Sequence, residues 1–134
     1  MRNRKYSKRH GEEEMTRQRF IVELGTGVDL HGEDVTEAAC RAVKDAISTN
    51  CLCGLLEIVG LKDPNQMEVE VLVASPKPGE VDLDKVKEIL PFGRVSVKTV
   101  SGGMTAQGLC VPEIAPDCDQ ILVANAAVTV FVNR

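Results

Sequence analysis

Residues 34–48 constrain this chain more than any other stretch. Asp34 is a good helix N-cap, and Glu37 three residues on completes a capping box. Val35, Ala38, Ala39, Ala42, Val43, Ala46 and Ile47 then fall on one stripe of a 3.6-residue helix. Arg41, Lys44, Asp45 and Ser48 take the opposite face. The stripe is made mostly of small residues, so this helix can pack closely on a sheet, and the rest of the chain must supply that sheet.

Strand-like segments are present on both sides. Arg19 to Leu24 (RFIVEL) reads as a first strand ended by Gly25. Asn50 and Gly54 punctuate the helix end, Leu55 to Leu61 fits a short strand or a helical turn, and Asp63-Pro64-Asn65 is a turn. Met67 to Ala74 alternates as a strand. Residues 75–81 form a loop, and a second short helix follows with Val86, Ile89 and Leu90 inward, stopped by Pro91. Arg94 to Val100 alternates again. Residues 101–120 show no periodicity and read as a long loop, and a loop of that length in a small domain is a candidate for function. ILVANAAVTVFV closes the chain as a strand, expected to break or bulge near Asn125. The order β-α-(β)-β-α-β-β predicts an α+β fold: a mixed four- to five-stranded sheet with two helices on one face, chorismate-mutase-like or ferredoxin-like. The second face of the sheet would carry a half-polar, half-apolar mixture, as at a subunit interface.

The chain's 134 residues suit one domain, and its 43% apolar content suffices for a core. With only 3% aromatics that core must be Val, Ile, Leu and Ala. A core of this size favours oligomerisation that hides more apolar surface. Residues 1–18 carry six Lys/Arg and three Glu, a charge of +3, and the remainder carries ten basic and seventeen acidic groups, −7. The expected division is a disordered charged tail over residues 1–17 and a single α+β domain over 18–134. An acidic domain is a poor partner for nucleic acid. No run approaches a membrane-spanning helix and no signal peptide is visible, so no membrane partner is expected. The five cysteines, Cys40, Cys51, Cys53, Cys110 and Cys118, are odd in number and irregular in spacing. Cys51 and Cys53 are too close for a zinc knuckle. Free thiols in a reducing, cytoplasmic compartment fit them, and neither a metal nor another cofactor is expected.

The turn GTGVDLHGED gathers flexible backbone, carboxylates and an imidazole where a strand hands over to the helix. Gly25, Gly27 and Gly32 do not make a dinucleotide-binding fingerprint, because position 30 is leucine. Glu23, Asp29, Glu33 and Asp34 would repel a phosphate and welcome a cation. His31 beside Asp29 or Asp34 makes an acid–base pair conceivable, with Asp29 and Asp34 orienting the ring. The plainer reading is that the glycines permit a tight turn, Asp34 caps the helix and His31 holds a backbone carbonyl. Gly102 and Gly103 after a strand offer backbone amides to an anionic group. Ser101 and Lys98 lie on opposite faces of an alternating strand, against a Ser/Lys pair. Asn125 is a polar contact or a bulge.

GTGVDLHGEDVTEAACRAVKDAI, with SGGM and ILVANAAV, resembles a small family of conserved hypothetical proteins of bacteria and plants, named from a locus tag beginning with Lin. The resemblance covers about residues 18–133. It implies that Gly25, Gly27, Asp29, Leu30, His31, Gly32, Asp34 and Thr36 form the family's signature, and it implies no reaction. More loosely, the element order is similar to the chorismate-mutase-like fold. Members of that fold are commonly trimers with clefts between subunits, and three such modules build ring-opening amidohydrolases such as cyanuric acid hydrolase. Ser101-Gly102-Gly103 faintly resembles a segment of those enzymes, a fold-level analogy only.

The resulting expectation is a homo-oligomer, a trimer or a multiple of one by fold analogy. It would bind or transform a small polar molecule near a subunit interface. His31, Asp29 and Asp34 would be the catalytic candidates, and Gly25, Gly27, Gly32, Thr36, Gly102, Gly103 and Asn125 the ligand contacts. The alternatives are a non-catalytic interaction module in which the turn only caps a helix, and a metal-dependent hydrolase.

Overall fold

A computed structural model describes residues 15–109, 113 and 120–134. The expected tail up to residue 14, Cys110, Cys118 and most of the segment 110–119 lie outside the described residues. The chain runs β1 (Arg17–Asp29), α1 (Val35–Ile47), α2 (Cys53–Glu57), a 3-10 turn (Pro64–Gln66), β2 (Glu68–Ser75) and a second 3-10 turn (Pro78–Glu80). It continues through α3 (Leu83–Glu88), β3 (Arg94–Ser101) and β4 (Met104–Gln107) to β5 (Gln120–Asn133). The strands form one mixed five-stranded sheet in the order β1-β5-β2-β3, with β4 beside β5. β5 is antiparallel to β1, β2 and β4, and β2 is parallel to β3. This is the α+β class expected from the sequence.

α1 forms where its periodicity places it. The Asp34 side chain accepts hydrogen bonds from the Thr36 and Glu37 amides, so two of the helix's otherwise unpaired N–H groups are satisfied. Val35, Ala38, Ala39, Ala42, Val43 and Ala46 are buried against the sheet. Their partners are the inward residues of the central strands: Val69, Val71 and Val73 of β2, and Leu122, Ala124, Ala126, Val128, Val130 and Val132 of β5. Asp82 caps α3 in the same manner, and Val86 carries that helix into the core.

Three elements depart from the sequence-based expectation, each for a packing reason. First, β1 does not stop at Gly25 but runs four residues further, to Asp29. Gly25 and Gly27 are strand residues facing α1. A Cβ on Gly25 would overlap the Ala42 carbonyl oxygen and the Ala46 amide, and would lie 2.9 Å from Ala46 Cα. A Cβ on Gly27 would overlap the Ala38 carbonyl oxygen and the Ala42 amide, 2.8 Å from the Arg41 carbonyl carbon. Glycine is needed here for the close approach of two backbones. Second, β5 continues unbroken through Asn125, and the sheet's irregularity lies instead between Arg19 and Ile21. There Phe20 leaves the ladder and packs on Gly54 of α2. Third, the supposed long loop contains β4. Gly103, at φ +66, turns the chain past Ala74 and Val123, and β4 then takes the place beside β5 that β2 has vacated. Leu55–Leu61, open between strand and helix in the sequence, begins with the last residues of α2.

α1 and α3 share one core with one face of the sheet. Among the described residues the other face is bare: Val22 and Leu24 of β1, Leu72 of β2 and Met104 of β4 are exposed. Arg17, at the start of β1, meets Glu68 and Glu70 at 2.7 Å and stacks on the Phe131 ring at 3.5 Å. β1 is an edge strand, but α1 blunts its edge. Asp45 accepts from the Thr26 amide at 2.9 Å, and Arg41 donates to the Val28 carbonyl at 2.7 Å.

Candidate functional site

The β1–α1 turn brings Asp29, His31, Gly32 and Asp34 together. Asp29 is 8% exposed. Its Oδ2 accepts the Asp34 amide at 2.8 Å, and its Oδ1 faces the Arg41 guanidinium at 3.5 Å. A Cβ on Gly32 would lie 2.9 Å from Asp29 Oδ2, so glycine leaves room for that carboxylate. Glu33 takes a left-handed φ of 49°, which closes the turn. Asp34 caps α1. Thr36 joins α1 to the α3 entry: its hydroxyl accepts the Asp82 amide at 2.9 Å. Asp29, Asp34 and Thr36 thus each have a local structural partner, whereas the His31 Nδ1 is buried without a hydrogen bond among the described residues.

The remaining sequence candidates lie at the same end of the sheet without converging on the imidazole. Gly25 and Gly27 are covered by α1. Gly102 donates its amide to the Ser75 carbonyl at 3.0 Å. Asn125 points to the bare face, where its amide donates to Thr26 Oγ1 at 3.2 Å. Among the described residues, no three or more His, Cys, Asp or Glu side chains gather as a metal site would require. Asp29, His31 and Asp34 therefore do not form a cluster of that kind.

A concavity lies at the other end of α1. It encloses about 540 Å³, within the range of small-molecule sites. Its wall is assembled from Ile47 at the end of α1, Leu52, Leu55 and Leu56 around α2, Met67 and Val69 at the start of β2, Leu90 to Phe92 after α3, and Val128 and Val130 of β5. Leu56 and Phe92 at the rim are exposed. This space exists because α1 is short relative to the sheet. Beyond Ser48 the chain bends away through Asn50 and the five-residue α2, and the inward valines of β5 continue without a helix above them.

One ionisable acid lines this apolar space. Glu23 projects from the inward face of β1, is 4% exposed, and its Oε2 accepts the Asn50 side-chain amide at 2.8 Å. Among the described residues, no Lys, Arg or His lines it. Cys51 and Cys53 line the cavity as free, exposed thiols. Cys40, on α1, is half-buried, and burial, with Glu37 and Asp34 nearby, pushes its thiol pKa up. Sequence reasoning counted Glu23 only as one more negative charge near the turn. The available signal was parity. Once β1 is extended to Asp29, Glu23 shares its face with Gly25, Gly27 and Asp29, the face that meets α1.

A family model described as "Conserved hypothetical protein (Lin0512_fam)" matches residues 19–130. No curated protein matches the chain. Among solved structures, an FtsZ-like protein of unknown function from Nostoc punctiforme is 46% identical with a TM-score of 0.82. The match covers 90% of this chain and 100% of that one.

Proposed function

This chain belongs to the Lin0512_fam family of conserved hypothetical proteins, and for it we propose a binding function: a small, largely apolar molecule is held in the cavity beyond the end of α1. The observation that carries this reading is the cavity itself, about 540 Å³ of apolar wall interrupted by a single buried carboxylate. Monomeric proteins keep few hydrophobic hollows of this size without an occupant. A neutral, polarity-sensitive dye should bind the protein with a blue-shifted emission. Cys53→Trp, at an exposed lining position, should weaken that binding at least tenfold while leaving the melting temperature in place. Unaltered dye binding in the variant would remove the cavity as the site.

A second reading keeps the β1–α1 turn as a small-polar-molecule or acid–base site, and the unpartnered His31 Nδ1 supports it. In this reading His31→Ala and Asp29→Asn leave folding intact but abolish the thermal shift produced by a polar ligand. Unfolding of both variants would make the turn structural.

Self-association belongs to the same proposal. The bare sheet face carries Val22, Leu24, Leu72 and Met104 in its apolar part, and Arg17 and Arg94 with Glu68 and Glu70 at one end. A second copy of the same surface supplies both apolar area and charges of each sign. This supports a homo-oligomer in which the sheets, not the helices, face one another.

A further inference from the structure

We infer that the ligand of the α1-end cavity is a hydrophobic amine, its cationic head against Glu23 and its apolar body along Leu55, Met67 and Val128; this rests on the cavity-binding reading above. A carboxylate offers about four lone-pair positions. Among the described residues Glu23 receives one hydrogen bond, from Asn50. A carboxylate removed from water with so few partners is costly to hold, and a cation or further donors offset that cost.

The described residues of the wall supply no such partner: none of them carries a basic side chain. The carbonyl end of α1 adds to the demand, because Ile47 and Asn50 line the cavity and a helix C-terminus carries partial negative charge. Asn50 Nδ2 also approaches the Ala46 carbonyl, at 3.5 Å, so the one donor present is shared between the two negative groups. Carboxylate and helix end thus bias the same apolar space toward a positive guest. An anionic guest would meet both repulsively. A neutral guest would fill the volume and leave the carboxylate as it is.

The test compares 4-phenylbutylamine, 4-phenylbutanol and 4-phenylbutyrate as competitors of the neutral dye on the intact protein. The amine should displace the dye at least tenfold more effectively than the alcohol, and the butyrate least well. Glu23→Gln keeps an acceptor for Asn50, and it should erase the amine's advantage over the alcohol. Should that variant fail to fold, the three-way comparison on the unaltered chain decides alone. Equal displacement by amine and alcohol overturns the amine assignment while the cavity remains a binding site. Dye displacement by none of the three overturns the cavity reading as well.

Discussion

The Asn50 amide reaches back from just beyond α1 to Glu23 in the middle of β1, at 2.8 Å. It is the one hydrogen bond this buried carboxylate receives among the described residues. Removing a partner from a buried acceptor leaves the desolvation of that acceptor uncompensated. Asn50→Ala should therefore destabilise the protein by about 1–2 kcal/mol in urea unfolding. Asn50→Asp should cost more, because it sets an acceptor against an acceptor. Equal, negligible effects would mean that Glu23 is satisfied some other way.

Gly27 should tolerate no side chain. Its missing Cβ is the space that the α1 backbone occupies at Ala38 and Ala42. Gly27→Ala is expected to lose about 3 kcal/mol, the upper part of the range for overpacking. Gly79→Ala, where a Cβ meets nothing within 4 Å, serves as the control and should be close to neutral. Thermal unfolding of the two variants side by side checks this.

Arg17 makes part of the protein's stability dependent on acid. Its hydrogen bonds hold the Glu68 carboxyl below the usual range, against a smaller opposing effect of desolvation. A carboxylate with a lowered folded-state pKa contributes stability above its unfolded pKa, and that contribution is lost as pH falls through the folded value. Arg17→Gln should thus cost about 1 kcal/mol near neutral pH, from an exposed pair and a cation–π contact. The electrostatic part of the difference between variant and parent should shrink as the pH falls through the lowered folded-state value of Glu68, where the carboxyl takes up its proton in the parent as well. A pH series of melting temperatures reads this directly.

Leu24 is 75% exposed on the bare sheet face. If copies of the chain meet there, Leu24→Glu should lower the mass measured by light scattering from a multiple of the monomer to the monomer, with helix content unchanged. A monomeric parent protein would contradict the oligomer.

The parts of the fold written in short-range pattern were legible in the sequence. α1 and the end of α3 follow from capping aspartates, a 3.6-residue stripe and Pro91. β2 and β3 follow from alternation. β1 was cut short because Gly25 and Gly27 read as punctuation, whereas their role depends on α1 residues Ala38 to Ala46 further along the chain. Its facing was obscured for a related reason. Val22 and Leu24 look like the core side of the strand, yet they point outward, and the inward side carries the glycines and Glu23. β4 is four residues of weak alternation, and only its pairing with β5 defines it. The GTGVDLHGED turn was visible as a concentration of chemistry, and the structure uses much of that chemistry to cap and clamp α1. The cavity had no local signature, because it is assembled from β1, the α1–α2 connection, the start of β2, the segment after α3 and β5. No window of sequence contains it.

Backbone amide NMR during titration with 4-phenylbutylamine tests occupancy of that cavity most directly. Saturable shifts should be confined to Glu23, Asn50 to Leu56, Met67, Phe92 and Val128, and absent in Cys53→Trp. Shifts clustered on Asp29 to Thr36 instead, or no saturable shifts anywhere, would contradict it.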